Sequence, residues 1–246
     1  MRELNRSLVL DLIKQRNPIS RAAIAKAADL AKPTVSAIVD DLVRGGLVRE
    51  IGMGQPTRGG GRPPILLEFN RRSTFVVGVQ VGGRGTTIVV ADAAGEEVGR
   101  LQRPAVRRKA PEALQRLAEH VTEAIDQAGI AHKRVAAVCV CVPGLVDADA
   151  GVCLLAPTLG WRNVDVRGPL AKALKTPVFV HNTAQAAAVA DHREGAGQGA
   201  DDVVLLSIGS GIGAGIVSDG RLLHGAGGMA GEIGHCQVPG VTEKCT

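Results

Sequence analysis

Residues 203–220 read "VVLLSIGSGIGAGIVSDG". An apolar, strand-like run from Val203 to Ile208 empties into Gly209, Ser210, Gly211, Gly213 and Gly215. Glycines at this spacing let backbone N–H groups approach an anion with no Cβ in the way. Gly209, Gly211 and Gly213 are therefore candidate phosphate-loop positions. Whether they serve phosphoryl transfer turns on two positions elsewhere and on the first seventy residues.

Upstream, "FVVGVQVGGRGTTIVVADAAGEEVGRLQRPA" holds two alternating strands around a Gly-rich turn, with a third strand after Ala94-Gly95. "APEALQRLAEHVTEAIDQAG" has the spacing of an amphipathic helix. A buried strand "RVAAVCVCVPG", a helix "VRGPLAKALK", a strand "PVFVHN" and an Ala-rich helix opening at Thr183 follow. Helix and strand alternate, so this part is α/β, and the early hairpin makes its sheet mixed.

The first seventy residues are built otherwise. Leu4, Leu8, Val9, Leu12 and Ile13 fall at helical spacing, so residues 2–16 predict an amphipathic helix that Asn17-Pro18 ends. Ser20 is an N-cap for "RAAIAKAADL", and "AKPTVSAIVDDLVRGG" is a further helix with Pro33 at its start and Gly45-Gly46 at its end. Two short helices across a tight turn make a helix-turn-helix. Its second helix carries Lys32, Thr34 and Ser36 at the end that reaches base edges and phosphates, with Val35, Ile38, Val39 and Leu42 as core. "LVREIGMGQPTRGGGRPPILLEFN" then has the plan of a wing, two strands around a Gly-rich tip bearing Arg58 and Arg62. Alone, "RGGGRP" reads equally as a flexible linker. Directly after a helix-turn-helix it suits a narrow minor groove, where glycines follow the floor and arginines meet its negative potential.

Charge agrees with that division. Residues 1–72 hold 13 Lys and Arg against 7 Asp and Glu, and the remainder holds 16 against 17. A basic head on a near-neutral body is the footprint of a nucleic-acid-binding module, although charge alone also fits a solvated face with no partner. With 246 residues and 45% apolar content the chain can bury at least one full core, in one or two domains. It has no apolar run of about eighteen residues and no signal-peptide core at its N-terminus, so a cytoplasmic protein without membrane contact is expected. Five cysteines are odd in number, and Cys139 and Cys141 would share one strand face, so no disulfide framework is expected.

Six segments, "VGVQVGGRGTTIVVAD", "VPGLVDADAG", "APTLGW", "HNTAQAAAVA", "IGSGIGAGIVSDG" and "GMAGEIGHCQVP", stand in the order and spacing of the ROK family of sugar kinases and sugar-responsive repressors. The resemblance covers essentially the whole chain. It implies an actin-like (RNase H-like), two-lobed ATPase-type sugar-kinase domain behind a winged helix-turn-helix. The head would occupy residues 1–72, the first lobe 73–192, and the start of an incomplete second lobe 193–246.

Two departures bear on the glycine loop. Where the ROK kinases have an Asp that helps hold magnesium and phosphate, this chain has Gln80; where they have the general base after the Asn, it has Thr183. Phosphoryl transfer to a sugar hydroxyl needs both a proton acceptor and metal-assisted neutralisation. Neither ATP nor magnesium is therefore expected, and the loop reads as an inherited turn. The residues that hold sugar hydroxyls in the kinases correspond to Asn182, Glu232 and His235, all present, although Asn182 also reads as a plain helix cap. Thr158 stands where the family often has Asn, and Asp147 and Asp149 read as turn formers. The family's His-Cys₃ zinc site is represented by His235 and Cys245 alone, so zinc is expected only in a chain that continues past Thr246. Cys236 is expected to be an ordinary buried or edge residue.

The expected function is that of a transcriptional regulator, most simply a repressor, of sugar-metabolism genes. It would bind double-stranded DNA as a homo-oligomer and sense a sugar or sugar phosphate, without enzyme activity. The alternatives are a ROK sugar kinase with an accessory head, and a ligand-independent DNA-binding protein.

Overall fold

The computed structural model describes residues 1–54, 63–105, 109–209, 211–237 and 239–240. The chain forms two compact units, one of Met1–Phe75 with the Ala91–Glu96 turn, the other of Val76–Val90 with residues from Glu97 onward.

In the first unit, α1 (Arg2–Gln15), β1 (Ile19–Ser20), α2 (Arg21–Ala28) and α3 (Lys32–Arg44) precede the paired strands β2 (Val48–Met53) and β3 (Ile65–Phe69). β3 lies between β1 and β2, and the β2–β3 register shifts between Glu50 and Gly52. Val9, Ile13, Ile24, Val35, Val39, Leu42, Val48 and Leu67 close one core. Leu4 and Leu8 have the helical spacing but not the burial: Leu4 is 72% exposed, because α1 packs along one side only and these two residues lie off it. The short strand β1 escapes sequence reading, since two residues carry no periodicity. The wing strands flank residues 55–62, so Arg58 and Arg62 lie outside the described residues.

The second unit is built on a five-stranded sheet, ordered β11-β7-β4-β5-β6, from β4 (Phe75–Val81), β5 (Gly85–Asp92), β6 (Glu97–Pro104), β7 (Val135–Val142) and β11 (Val178–Asn182). Alternation along β4 buries Val77, Val79 and Val81 and leaves Gln80 exposed. Between β6 and β7 runs α4 (Ala110–Gln127), which buries Leu114, Leu117, Val121 and Ile125 and packs along β6. The strands β8 (Leu145–Asp147), β9 (Val152–Ala156) and β10 (Trp161–Asp165) form a small antiparallel sheet, followed by α5 (Arg167–Leu174). β11 runs parallel to β7 and leads into α6 (Thr183–Glu194). A last sheet, β12 (Val203–Ile208), β13 (Ile212–Ser218) and β14 (Arg221–Leu222), repeats the sequential strand order of β4-β5-β6, as an actin-like second lobe requires.

Thr183 opens α6 as expected, and Asp147 closes a turn by accepting from the Ala150 N–H at 2.8 Å. Cys139 and Cys141 share one face of β7, and both are free. Cys236 is exposed rather than buried. Among the described residues no helix is long and apolar enough to cross a membrane.

Candidate functional site

The DNA-facing candidate is α2, its turn and α3. Ser20 caps α2 by accepting from the Ala23 N–H at 3.3 Å, and Asp29 takes a left-handed conformation (φ 51°) to end it. α3 then starts at Lys32 with Pro33 in its first turn. Val35, Ile38, Val39 and Leu42 bury the inner stripe of α3, which turns Lys32 and Thr34 to solvent and leaves Ser36 half-buried. Sequence reading missed Arg21. Its guanidinium donates to the Ser36 carbonyl (3.3 Å), to Asp40 Oδ1 (2.7 Å) and to Glu50 Oε1 (3.0 Å), tying α2 to α3 and to the wing strand β2. Burial disfavours its charge, but the hydrogen bonds to Asp40 and Glu50 outweigh that and raise its pKa above the ordinary value.

The second candidate is a cavity of about 520 Å³ in the α/β unit. β4 supplies Gln80 and the turn after it Gly82, Gly83 and Arg84; Thr86 and Thr87 come from β5, Arg103 from β6, Thr158 from the turn after β9, Thr183 from the start of α6 and Gly209 from the residue after β12. The two positions at which this chain departs from the kinases, Gln80 and Thr183, thus meet in one place. Among the described residues, no Asp or Glu lines the cavity. Arg103 is paired with Glu123, whereas Arg84 has no ion pair among the described residues. The hydroxyls of Thr86 and Thr183 are buried and have no hydrogen-bond partner among the described residues.

The glycine string lies at the turn between β12 and β13 and along β13. The Gly209 N–H closes its own turn on the Gly211 carbonyl at 2.9 Å, and Gly213 sits in the β12–β13 ladder opposite Ser207. Of Gly209, Gly211 and Gly213 only Gly209 lines the cavity. Gly215 is demanded by packing: a Cβ there would lie 2.4 Å from the Ala184 carbonyl oxygen and 2.4 Å from Ala188 Cβ on α6. Most of the run therefore serves to turn the hairpin and bring α6 onto the sheet.

Asn182 is a helix cap. Its Oδ1 accepts from the Ala184 and Gln185 N–H groups at 2.7 and 3.0 Å, and its Nδ2 donates to the Gly144 carbonyl at 2.7 Å. That occupies its acceptor, so any ligand role would fall to one remaining N–H. Glu232 and His235 stand together, Oε2 to Nε2 3.6 Å apart, with the His side chain 69% exposed. Asn182, Glu232 and His235 are not among the residues lining the cavity. Gln185, a second residue missed in the sequence, is buried on α6 and donates to the Gly228 and Ala230 carbonyls, which fixes the approach to Glu232. Beside Asn182, His181 is half-buried, and burial, then the neighbouring His224 and Arg167, hold its pKa below the ordinary value.

For zinc, Cys245 lies outside the described residues, and among those described no group of three His, Cys, Asp or Glu could hold a metal ion. His235 with Cys236 does not make such a site.

Comparison with known proteins agrees with this division. Residues 76–246 match the ROK family, and residues 3–62 match the MarR family. The chain is 32% identical over 247 residues to the xylose repressor of Caldicellulosiruptor bescii, across 100% of this chain and 61% of that protein. A crystal structure of a ROK family transcriptional regulator, a homolog of the Escherichia coli MLC protein, matches with a TM-score of 0.82 at 31% identity, over 99% of this chain and 61% of that one. The ROK family glucokinase of Streptomyces griseus, solved with glucose and AMPPNP, matches with a TM-score of 0.61 at 32% identity over 67% of this chain and 51% of that one. The chain thus spans about 61% of the length of such full-length relatives.

Proposed function

Because this chain belongs to the ROK family and carries a MarR-like winged helix ahead of it, we propose that it is a DNA-binding regulator of sugar-metabolism genes whose kinase-like unit senses a sugar or sugar phosphate without phosphorylating it. Repression is the simplest mode. α3 would enter the major groove through Lys32 and Thr34, with Arg21 holding its angle against β2. Two heads in a homo-oligomer would read a two-fold site, in the cytoplasm where the chromosome lies. Glu232 and His235 would take sugar hydroxyls, and zinc would belong to the longer relatives' complete cysteine motif.

The observation that carries the reading is a cavity lined, among the described residues, by no carboxylate. Gln80 offers an amide and Thr183 a hydroxyl, and neither accepts a proton or holds magnesium near neutral pH. The glucokinase likeness makes a kinase the competing account, and that cavity is what disfavours it. Incubation with magnesium, ATP, hexoses and N-acetylhexosamines tests the point. No sugar-dependent ATP turnover is expected from the protein, and a gain of turnover is expected only in a Gln80→Asp, Thr183→Asp double variant. Turnover by the unaltered protein at about 1 to 100 per second, the ordinary kinase range, would refute the reading.

A further inference from the structure

Resting on the regulator reading above, we propose that α3 reads thymine in the major groove by its 5-methyl group, which seats on the apolar spot that Pro33 and Ala37 form on the outward face of the helix.

The place of that spot follows from the core. Val35, Ile38, Val39 and Leu42 are buried and fix the inner side of α3, so at about 100° per residue the opposite side is the stripe Pro33, Ala37, Asp40 and Arg44. Pro33 and Ala37 are both exposed, and side chains four residues apart are neighbours on a helix. Beside them the surface is concave: a recess of about 330 Å³ is walled by Thr34, Ala37, Ile38 and Asp41 of α3 and by Met1 and Asn5 of α1. The thymine methyl is the apolar group that a base pair presents in the major groove, and an apolar spot selects it.

The rest of the helix offers little else that reads a base. α3 holds no Asn or Gln, the residues that take adenine by paired hydrogen bonds. Its one Arg, Arg44, is its last residue and pairs with Asp41 at 3.2 Å. Asp40 has the chemistry to accept from a cytosine amine, but Arg21 donates to its Oδ1 at 2.7 Å. Ser36 is half-buried, with its carbonyl engaged by the same Arg21. Lys32 and Thr34 flank the spot, where contacts to the DNA backbone would hold it in register. Burial of one methyl is worth about four-fold in affinity, and it separates T·A from C·G, which carries an amine and no methyl at that edge.

Uracil differs from thymine in that methyl alone, so it isolates the contact. The full chain would be titrated by fluorescence anisotropy with the promoter duplex beside its own gene, and with duplexes in which each thymine in turn is replaced by uracil. At one or two thymines of each half-site the replacement is expected to weaken binding by about three- to ten-fold; cytosine there should weaken it further, and 5-methylcytosine should recover about three-fold over cytosine. Ala37→Gly and Ala37→Ser should each bring the thymine-to-uracil ratio at one of those positions below about two-fold, Ser disturbing the helix less than Gly does. Lys32→Ala should weaken binding to both duplexes and leave the ratio unchanged. The ratio is taken within one protein, so a loss of folded fraction cancels from it. Promoter-specific binding with a ratio near unity at every thymine, or a ratio that persists in both Ala37 variants, would overturn the proposal and leave the regulator reading standing. If the chain binds promoter and random duplex equally, both fall.

Discussion

Arg21 shows how one side chain sets the geometry of a reading head without touching DNA. It bonds α3 at Ser36 and Asp40 and β2 at Glu50, so its loss should loosen α3 rather than delete a phosphate contact. Arg21→Ala should lower affinity for a specific duplex about ten-fold with an unchanged slope of log affinity on log salt, whereas Lys32→Ala should reduce that slope by about one. Salt titrations by fluorescence anisotropy distinguish the two. His181 makes a claim about pH. Its pKa is depressed in the folded state, chiefly by burial, so as pH falls through the ordinary value of 6.5 the unfolded chain takes up a proton that the native one does not. Stability is complete above that pH and declines on the acid side until the native pKa is passed. His120, also depressed chiefly by burial, acts in the same direction. Thermal melts from pH 8 to 5 should show the decline, and His181→Gln should flatten part of it.

The α6–β13 contact carries the clearest packing constraint. Gly215→Ala would place a methyl 2.4 Å from both the Ala184 carbonyl oxygen and Ala188 Cβ, so a loss of about 1–3 kcal/mol in denaturant unfolding is expected. Gly211→Ala, with nothing within 4 Å of the added carbon, should cost far less. These elements also show what the sequence discloses. The helix-turn-helix was legible because Ser20, Pro33 and the stripe Val35, Ile38, Val39 and Leu42 are local signals for caps and faces. Leu4 and Leu8 misled because periodicity records which residues could be buried, not whether a neighbour arrives. The β8–β10 sheet went unseen, since strands of three to five residues give too little alternation. At the site, Gln80 and Thr183 were found through departures from a family pattern. Gln185 was not, because its importance rests on burial and on hydrogen bonds to residues some 43 to 45 positions away that only the folded chain displays.

At the scale of the whole molecule, two units with different chemistry share one chain: a basic winged helix and a near-neutral kinase-like body whose cavity is lined, among the described residues, by no carboxylate. Regulation requires that a ligand bind the DNA-competent and DNA-incompetent arrangements with different affinity, because equal affinity shifts nothing. The most direct measurement is anisotropy of a labelled duplex from the promoter beside the protein's own gene, bound by the full chain at two salt concentrations and titrated with the sugar and sugar phosphate panel. The account predicts binding at least about 10³-fold tighter than to random duplex, weakening steeply with salt, and a change of about 5- to 150-fold in DNA affinity on adding one ligand of the panel. Equal affinity for promoter and random duplex, with no response to any ligand, would contradict it.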